Sequence, residues 1–318
     1  VELSILQRGD VSLRSAAAER PASGRNAAIA GMTRKQPGEH STCGNAACRS
    51  AWTLPWKSRR YPVFEEKWAC SGKCLLAMVK ASIAREVGDG RRDSVEIQHQ
   101  HRIPLGLLML SQGWITHPQL QRALEAQRAE GAGRIGRWLI AECGLDAEVV
   151  TRGLSVQWGC PVLTTEGFSP TAMAMALPRV FIENFGILPL RVAGSRILYV
   201  GFEDHLDASS AFAVEQMNGL RTESGVVAED SFREARERLL ACQFAPLTEC
   251  RVPDGDTLAK AIATVIDQKS AVASRLVRLR KYYWLRVWTA KAGYAHTGSI
   301  PAKAQDAGDY LFTIGKSA

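Results

Sequence analysis

The sequence has no apolar run approaching the ~18–20 residues that cross a bilayer, and residues 1–10 are broken by charge and lack a signal-peptide core. These absences give the expectation of a cytoplasmic protein with no membrane span. Several catalytic signatures are missing as well. There is no Gly-x-Ser-x-Gly nucleophile turn and no pair of histidines at helical spacing. A phosphate-binding loop is also missing. Before Gly315-Lys316-Ser317, Tyr310 stands where that loop needs its first glycine. Only Ala318 follows, so no helix presents amides to phosphate. Ser71-Gly72-Lys73 fails in the same way, ending in Cys74. Isolated acids such as Glu203 and Asp204 read as a helix start. The expectation is a protein that is not an enzyme.

What is present allows two or three modest domains in 318 residues, 46% of them hydrophobic. Residue 1 is valine and Met32 is a candidate start. Residues 14–31 are a run of Ala, Arg, Ser and Gly that cannot bury enough apolar surface to offset the entropy of ordering, so 1–38 is expected to be disordered. The net charge of +8 is uneven. Residues 1–101 carry 16 Lys/Arg against 10 Asp/Glu, residues 251–318 carry 11 against 5, and the middle carries 13 against 17. Basic flanks suit nucleic acid or an anionic partner, but they equally suit a plain soluble surface.

Four of the eight cysteines fall close together: Cys43, Cys48, Cys70 and Cys74. In a reducing compartment such a cluster points to metal before disulfide, and zinc takes four thiolates in a tetrahedron. The segment between the pairs reads as a hairpin, residues 51–56 and 61–68 around a polar turn at 57–60, followed by a helix over 75–87. Cys70 and Cys74 would share one face of that helix's first turn. Knuckle, hairpin and helix in this order resemble a treble-clef zinc ribbon over 39–90. Four cysteines leave no open position for a water, so the zinc would be structural. His40, His99 and His101 are substitute ligands by type. The alternative is a set of buried cysteines with no metal.

Two segments align without a gap at a 30-residue offset. Pro104, Leu105, Gly106, Gly113, Ile115, Leu120, Leu124 and Gln127 match Arg134, Ile135, Gly136, Cys143, Leu145, Val150, Leu154 and Gln157. Such a repeat means a duplicated unit in which each half covers the other's apolar face. Each half reads as two short helices, with Thr116, Pro118 and Gln119 forming a capping start in the first and Asp146 a cap in the second.

The pattern resembles the N-terminal domain of type II secretion and type IV pilus assembly ATPases, the MshEN or GspE N-terminal family. The resemblance extends through Gly159-Cys160-Pro161, Leu177-Pro178-Arg179 and candidate strands at 187–192 and 197–202. It implies an assembly of the secretion or pilus type as partner. In some members it also implies a cyclic di-GMP site. Carried onto this chain, that site would be Leu105, Gly106, Gly113 and Gln127 from the first motif and Arg134, Ile135, Gly136 and Gln157 from the second. Arginine suits guanine by hydrogen bonding and stacking, and glycine lets backbone approach phosphate. Two positions depart: Pro104 replaces the first motif's arginine, with Arg102 two residues upstream, and Cys143 replaces the second motif's later glycine. The competing reading keeps the motif for packing alone, since shared fold does not carry shared ligand.

Beyond the repeat, residues 161–243 read as a small α+β subdomain, with a strand over 223–227 and a helix over 231–240. Residues 251–318 form a basic C-terminal region, with a helix over 257–268. Residues 272–288 interleave arginine with aromatics, a mix that suits single-stranded nucleic acid or a membrane surface. A helix with Leu276, Leu279, Tyr283 and Val287 inward accounts for the same pattern, and we adopt it. The fold class expected is therefore α+β: a four-cysteine zinc ribbon, a duplicated helical-hairpin motif with a small α/β layer, and a basic helical C-terminal segment. The function expected is a regulatory or adaptor protein. The alternatives are a nucleic-acid-binding zinc-ribbon protein and a scaffold for a secretion- or pilus-type complex.

Overall fold

The computed structural model describes residues 43–48, 62–94, 102–202, 208–269, 271–289 and 300–315, all within the unit His40–Ala318. The readings of 1–38, Met32, His40, residues 51–60, His99, His101, Glu203 and Asp204 lie outside the described residues. In chain order the elements are β1 (Val63–Phe64), β2 (Lys67–Trp68), α1 (Gly72–Ser94), α2 (Leu105–Ser111), α3 (His117–Glu130), α4 (Ile135–Cys143), α5 (Ala147–Trp158), α6 (Pro170–Met173), α7 (Arg179–Phe185), β3 (Ile187–Ala193), β4 (Ile197–Phe202), α8 (Ala208–Asn218), β5 (Arg221–Val226), α9 (Glu229–Leu240), β6 (Leu247–Val252), α10 (Gly255–Gln268), β7 (Ala273–Leu279), β8 (Tyr282–Trp288) and β9 (Ala307–Ile314). The fold is mixed α+β. No described helix is long and apolar enough to cross a membrane.

The four helices α2–α5 begin and end where their sequence directs. Thr116 Oγ1 accepts from the Gln119 N–H, and Gln119 Oε1 accepts from the Thr116 N–H at 2.9 Å, closing a capping box on α3. Asp146 caps α5 through the Glu148 N–H at 2.9 Å. Leu105, Met109, Ile115, Leu120, Ala123, Leu139 and Val150 are buried together as the core of this unit.

The segment after α5 ties that unit to an α/β layer. Val162 pairs with Val226 in a parallel bridge, and Leu163 N–H donates to the Val226 carbonyl at 2.8 Å. The three-stranded sheet runs β3-β4-β5, antiparallel then parallel, under α6–α9. The expected strands and helices of residues 187–240 are all present, within two residues of the bounds read from sequence.

A second sheet of four strands, ordered β6-β9-β8-β7, follows. Its strands β7 and β8 are covered on both faces. Val277, Leu279, Trp284 and Trp288 belong to the core of the first α/β layer, while Leu276, Tyr283, Leu285, Val287 and Phe312 belong to a second core with α1, α10 and the cysteine segment. The cysteine segment and the C-terminal region thus share one core. The β1–β2 turn, with Glu65 and Glu66 both at positive φ (47° and 64°), is of the two-residue hairpin type. It docks on β7, since Glu65 N–H donates to the Ser274 carbonyl and Ser274 Oγ donates to the Val63 carbonyl, both at 2.8 Å.

The helix read at 272–288 is corrected here to the antiparallel hairpin β7–β8, paired from Ala273↔Trp288 to Leu279↔Tyr282. All seven residues of β8 are buried. A strand covered on both faces has no polar alternation to betray its period, so spaced apolar residues imitate a helix. The segment read as one strand over 61–68 itself turns at Glu65 and Glu66 between β1 and β2, and the expected turn at 57–60 lies outside the described residues.

Candidate functional site

The duplicated motif folds into a pseudo-twofold arrangement. A Cβ on Gly106 would lie 2.6 Å from Leu120 Cδ1 and 3.8 Å from Ile135 Cγ1. One on Gly136 would lie 2.7 Å from Val150 Cγ1 and 3.6 Å from Leu105 Cδ2. Every residue in the first set is 30 positions from its counterpart in the second. These glycines let α2 close on α3 and α4 close on α5 within each half, while the contacts to the other half are at ordinary van der Waals distance. Gly136→Val is expected to destabilise the protein by about 1–3 kcal/mol in urea unfolding. An unchanged midpoint would mean that Val150 and α5 give way without loss of packing.

The closing glutamines obey the same symmetry. Gln127 Nε2 donates to the Gly133 carbonyl at 2.7 Å, and Gln157 Nε2 donates to the Ile103 carbonyl at 2.8 Å. Each glutamine holds the residue just ahead of the other half's opening position. Leu105 is buried and Ile135 half-buried in the shared core. Gly113 takes φ 71° directly after α2. The second half reaches the same left-handed turn one residue later, at Gly144 (φ 63°), while Cys143 Sγ donates to the Gln119 carbonyl at 3.3 Å. Arg134 is exposed and occupies the N-cap position of α4, and Pro104 occupies that of α2. Arg102 lies flat on Trp158, its guanidinium carbon 3.4 Å from the ring centroid, well inside cation–π range. Trp158 carries no motif signal, because its partner is 56 residues away.

The four clustered cysteines converge. Cys43 and Cys48 sit on a tight loop, with Ala47 N–H donating to Asn45 Oδ1 at 3.1 Å and Gly44 N–H to the Trp68 carbonyl at 3.0 Å. Cys70 precedes α1 and Cys74 lies in its first turn, where its N–H donates to Ser71 Oγ at 3.3 Å. The four Sγ atoms lie within 4.8 Å of one another, with Cys48 to Cys70 at 3.6 Å and Cys70 to Cys74 at 3.5 Å. Disulfides need sulfurs about 2.05 Å apart, whereas a tetrahedron with metal–sulfur bonds of about 2.3 Å separates sulfurs by about 3.8 Å. The cage has the size for a metal ion. Asn45 Nδ2 donates to Cys74 Sγ at 3.4 Å, an outer hydrogen bond of the kind that steadies a thiolate ligand. That bond and the Ser71 hydroxyl pull the Cys74 thiol down to about 6, while burial and the neighbouring sulfurs push Cys70 up to about 12.

No protein-family model matches this sequence. Over 141 residues, however, it is 30% identical to the type IV pilus assembly ATPase PilB of Myxococcus xanthus (strain DK1622), covering 43% of this chain and 24% of the relative. Part of this chain resembles a pilus assembly ATPase. It spans about a quarter of the length of that relative. Among solved structures, that of MshE with cdg is similar at 25% identity and a TM-score of 0.35, covering 43% of this chain and 99% of that one. The N-terminal domain of XpsE is similar at 19% identity and a TM-score of 0.31, covering 42% and 92%.

Less than half of the chain takes part in the likeness to PilB. The aromatic residues of β8 are not free to stack on bases. Tyr282, Tyr283, Trp284 and Trp288 are all buried. The arginines beside them are engaged too. Arg275 Nη1 donates to the carbonyls ending α8 (Gln216 and Met217, 2.9 Å each), and Arg275 Nη2 donates to Glu66 at 3.1 Å.

Proposed function

We propose that this chain is a non-enzymatic regulatory or adaptor protein of a secretion- or pilus-type assembly, working in the cytoplasm, and that its duplicated helical unit receives cyclic di-GMP. The observation that carries the reading is the 30% identity with a pilus assembly ATPase over 141 residues. The ligand follows from the paired motifs. Their openings lie next to each other, with Arg134 exposed at one and Arg102 exposed near the other. Guanidinium groups at such openings can hydrogen-bond and stack on guanine, which two copies of one motif would meet twice in a cyclic dinucleotide.

Calorimetric titration of the metal-replete protein with cyclic di-GMP tests this. Binding is expected, and Arg134→Ala is expected to weaken it at least about tenfold, since a hydrogen bond to a charged group contributes about 1.5–3 kcal/mol. No heat with the unaltered protein sinks the receptor reading. A second reading, a scaffold that keeps the motif for its fold, is favoured by the glutamines. Both spend their amide donors on backbone carbonyls within the unit.

We further propose that Cys43, Cys48, Cys70 and Cys74 hold a structural zinc ion, completing a ribbon-like module. Four thiolates saturate the ion, which would supply cross-linking and charge neutralisation and no open coordination position.

A further inference from the structure

Among the described residues, the second sheet has one edge guarded and one edge bare. The β1–β2 turn closes the β7 edge. At the other end, β6 pairs with β9 on one side only, and among the described residues nothing bonds its outer side. The Pro246 carbonyl accepts from Asp309 N–H at 2.8 Å, and the Val252 carbonyl accepts from Gly315 N–H at 3.0 Å. By the two-residue period of a strand, positions 246, 248, 250 and 252 therefore turn their main-chain groups inward. Leu247, Glu249 and Arg251 turn theirs outward. Both charged side chains are exposed, and they lie on the face opposite the Cys250 and Val252 side chains, which pack into the core with α10.

We infer that a second copy of this chain adds its own β6 to this edge, antiparallel, about a twofold axis through Cys250. Only outward-facing residues can form the pairs that exchange two main-chain hydrogen bonds. An axis at Cys250 places Glu249 of each copy opposite Arg251 of the other, so both such pairs join opposite charges on one face. The neighbouring registers, with the axis at Glu249 or Arg251, put like charges face to face, which disfavours them. Of these three registers only the one centred on Cys250 joins opposite charges, an isologous contact of the kind that closes a dimer. Pro253 lacks an N–H, which ends the pairing just beyond Arg251 and keeps the contact short.

Sedimentation of the full chain across concentration tests the inference, with Glu249→Arg, with Arg251→Glu, and with both together. The unaltered protein is expected to dimerise, less so as salt rises. Each single reversal creates two like-charge pairs and is expected to weaken the dimer at least about tenfold. The double variant restores opposite charges and recovers it. Mixing the two single variants does the same, since each supplies what the other needs. A chain that stays monomeric would mean that the charges merely protect the edge from pairing. That result overturns the inference, as would a dimer indifferent to both reversals.

Discussion

Asp309→Ala is expected to destabilise the protein by about 3–5 kcal/mol, because it strands a buried guanidinium. Arg286 and Asp309 are 0% and 1% exposed and meet in a fork, Nε to Oδ1 at 2.7 Å and Nη2 to Oδ2 at 2.8 Å. Trp284 Nε1 donates to the same carboxylate at 2.8 Å. Arg286 Nη1 then reaches out of its sheet to the Met175 carbonyl at 2.8 Å. The adjoining Ala176 carbonyl also accepts from the buried Asn218 side chain, at 3.2 Å. The fork therefore joins β8 and β9 to the segment that follows α6. Equilibrium unfolding would measure the loss. An apolar pair of similar volume, Arg286→Met with Asp309→Leu, is expected to recover much of it, as replaced buried ion pairs often do. If Asp309→Ala alone proved neutral, water would have to reach the guanidinium, contrary to its burial.

The second large effect is expected from metal removal. The proposed zinc site is part of a core that includes α1, α10 and one face of the second sheet. Hydrogen bonds reinforce the connection. Glu65 accepts from Ser82 Oγ at 2.7 Å and from Arg85 at 2.6 and 3.0 Å, and Glu86 accepts from Arg278 N–H at 2.9 Å. Structural zinc contributes on the order of 10 kcal/mol to the folded form of small metal modules, so chelation should loosen this whole layer. Hydrogen exchange is expected to rise in α1, α10 and β7–β8 while α2–α5, which have a core of their own, stay protected. Cys74→Ser should lower the zinc content below one per chain and reproduce the exchange pattern. Zinc-free protein that keeps full protection in β7–β8 would refute the structural role.

Much of this was legible from sequence, and the parts that were not share a cause. The helical repeat declared itself because its signals are local: caps, spaced leucines and a fixed 30-residue offset. The cysteine cage was equally plain, since four ligands crowd into 32 residues and a hairpin suffices to bring them together. The second sheet was hidden. Its central strand β8 is covered on both faces, which erases alternation, and β6 gave no signal that separated it from a loop. Arg286 gave no local sign of its burial, because its partners Asp309 and Met175 lie 23 and 111 residues away. The glutamines were identified as motif positions, but their carbonyl acceptors became apparent only with the halves assembled.

The two halves of the helical unit repeat one another's contacts. Gly106 fits against Leu120 and Ile135 as Gly136 fits against Val150 and Leu105, and the glutamines cross over in the same manner. The glycines' tight contacts lie within each half, and the glutamines supply the bonds that reach toward the other. This is the contact pattern of two equivalent units about a twofold axis, joined by the short run from Gly131 to Gly133. Pro104 against Arg134, and Gly113 against Cys143, are where they have drifted apart.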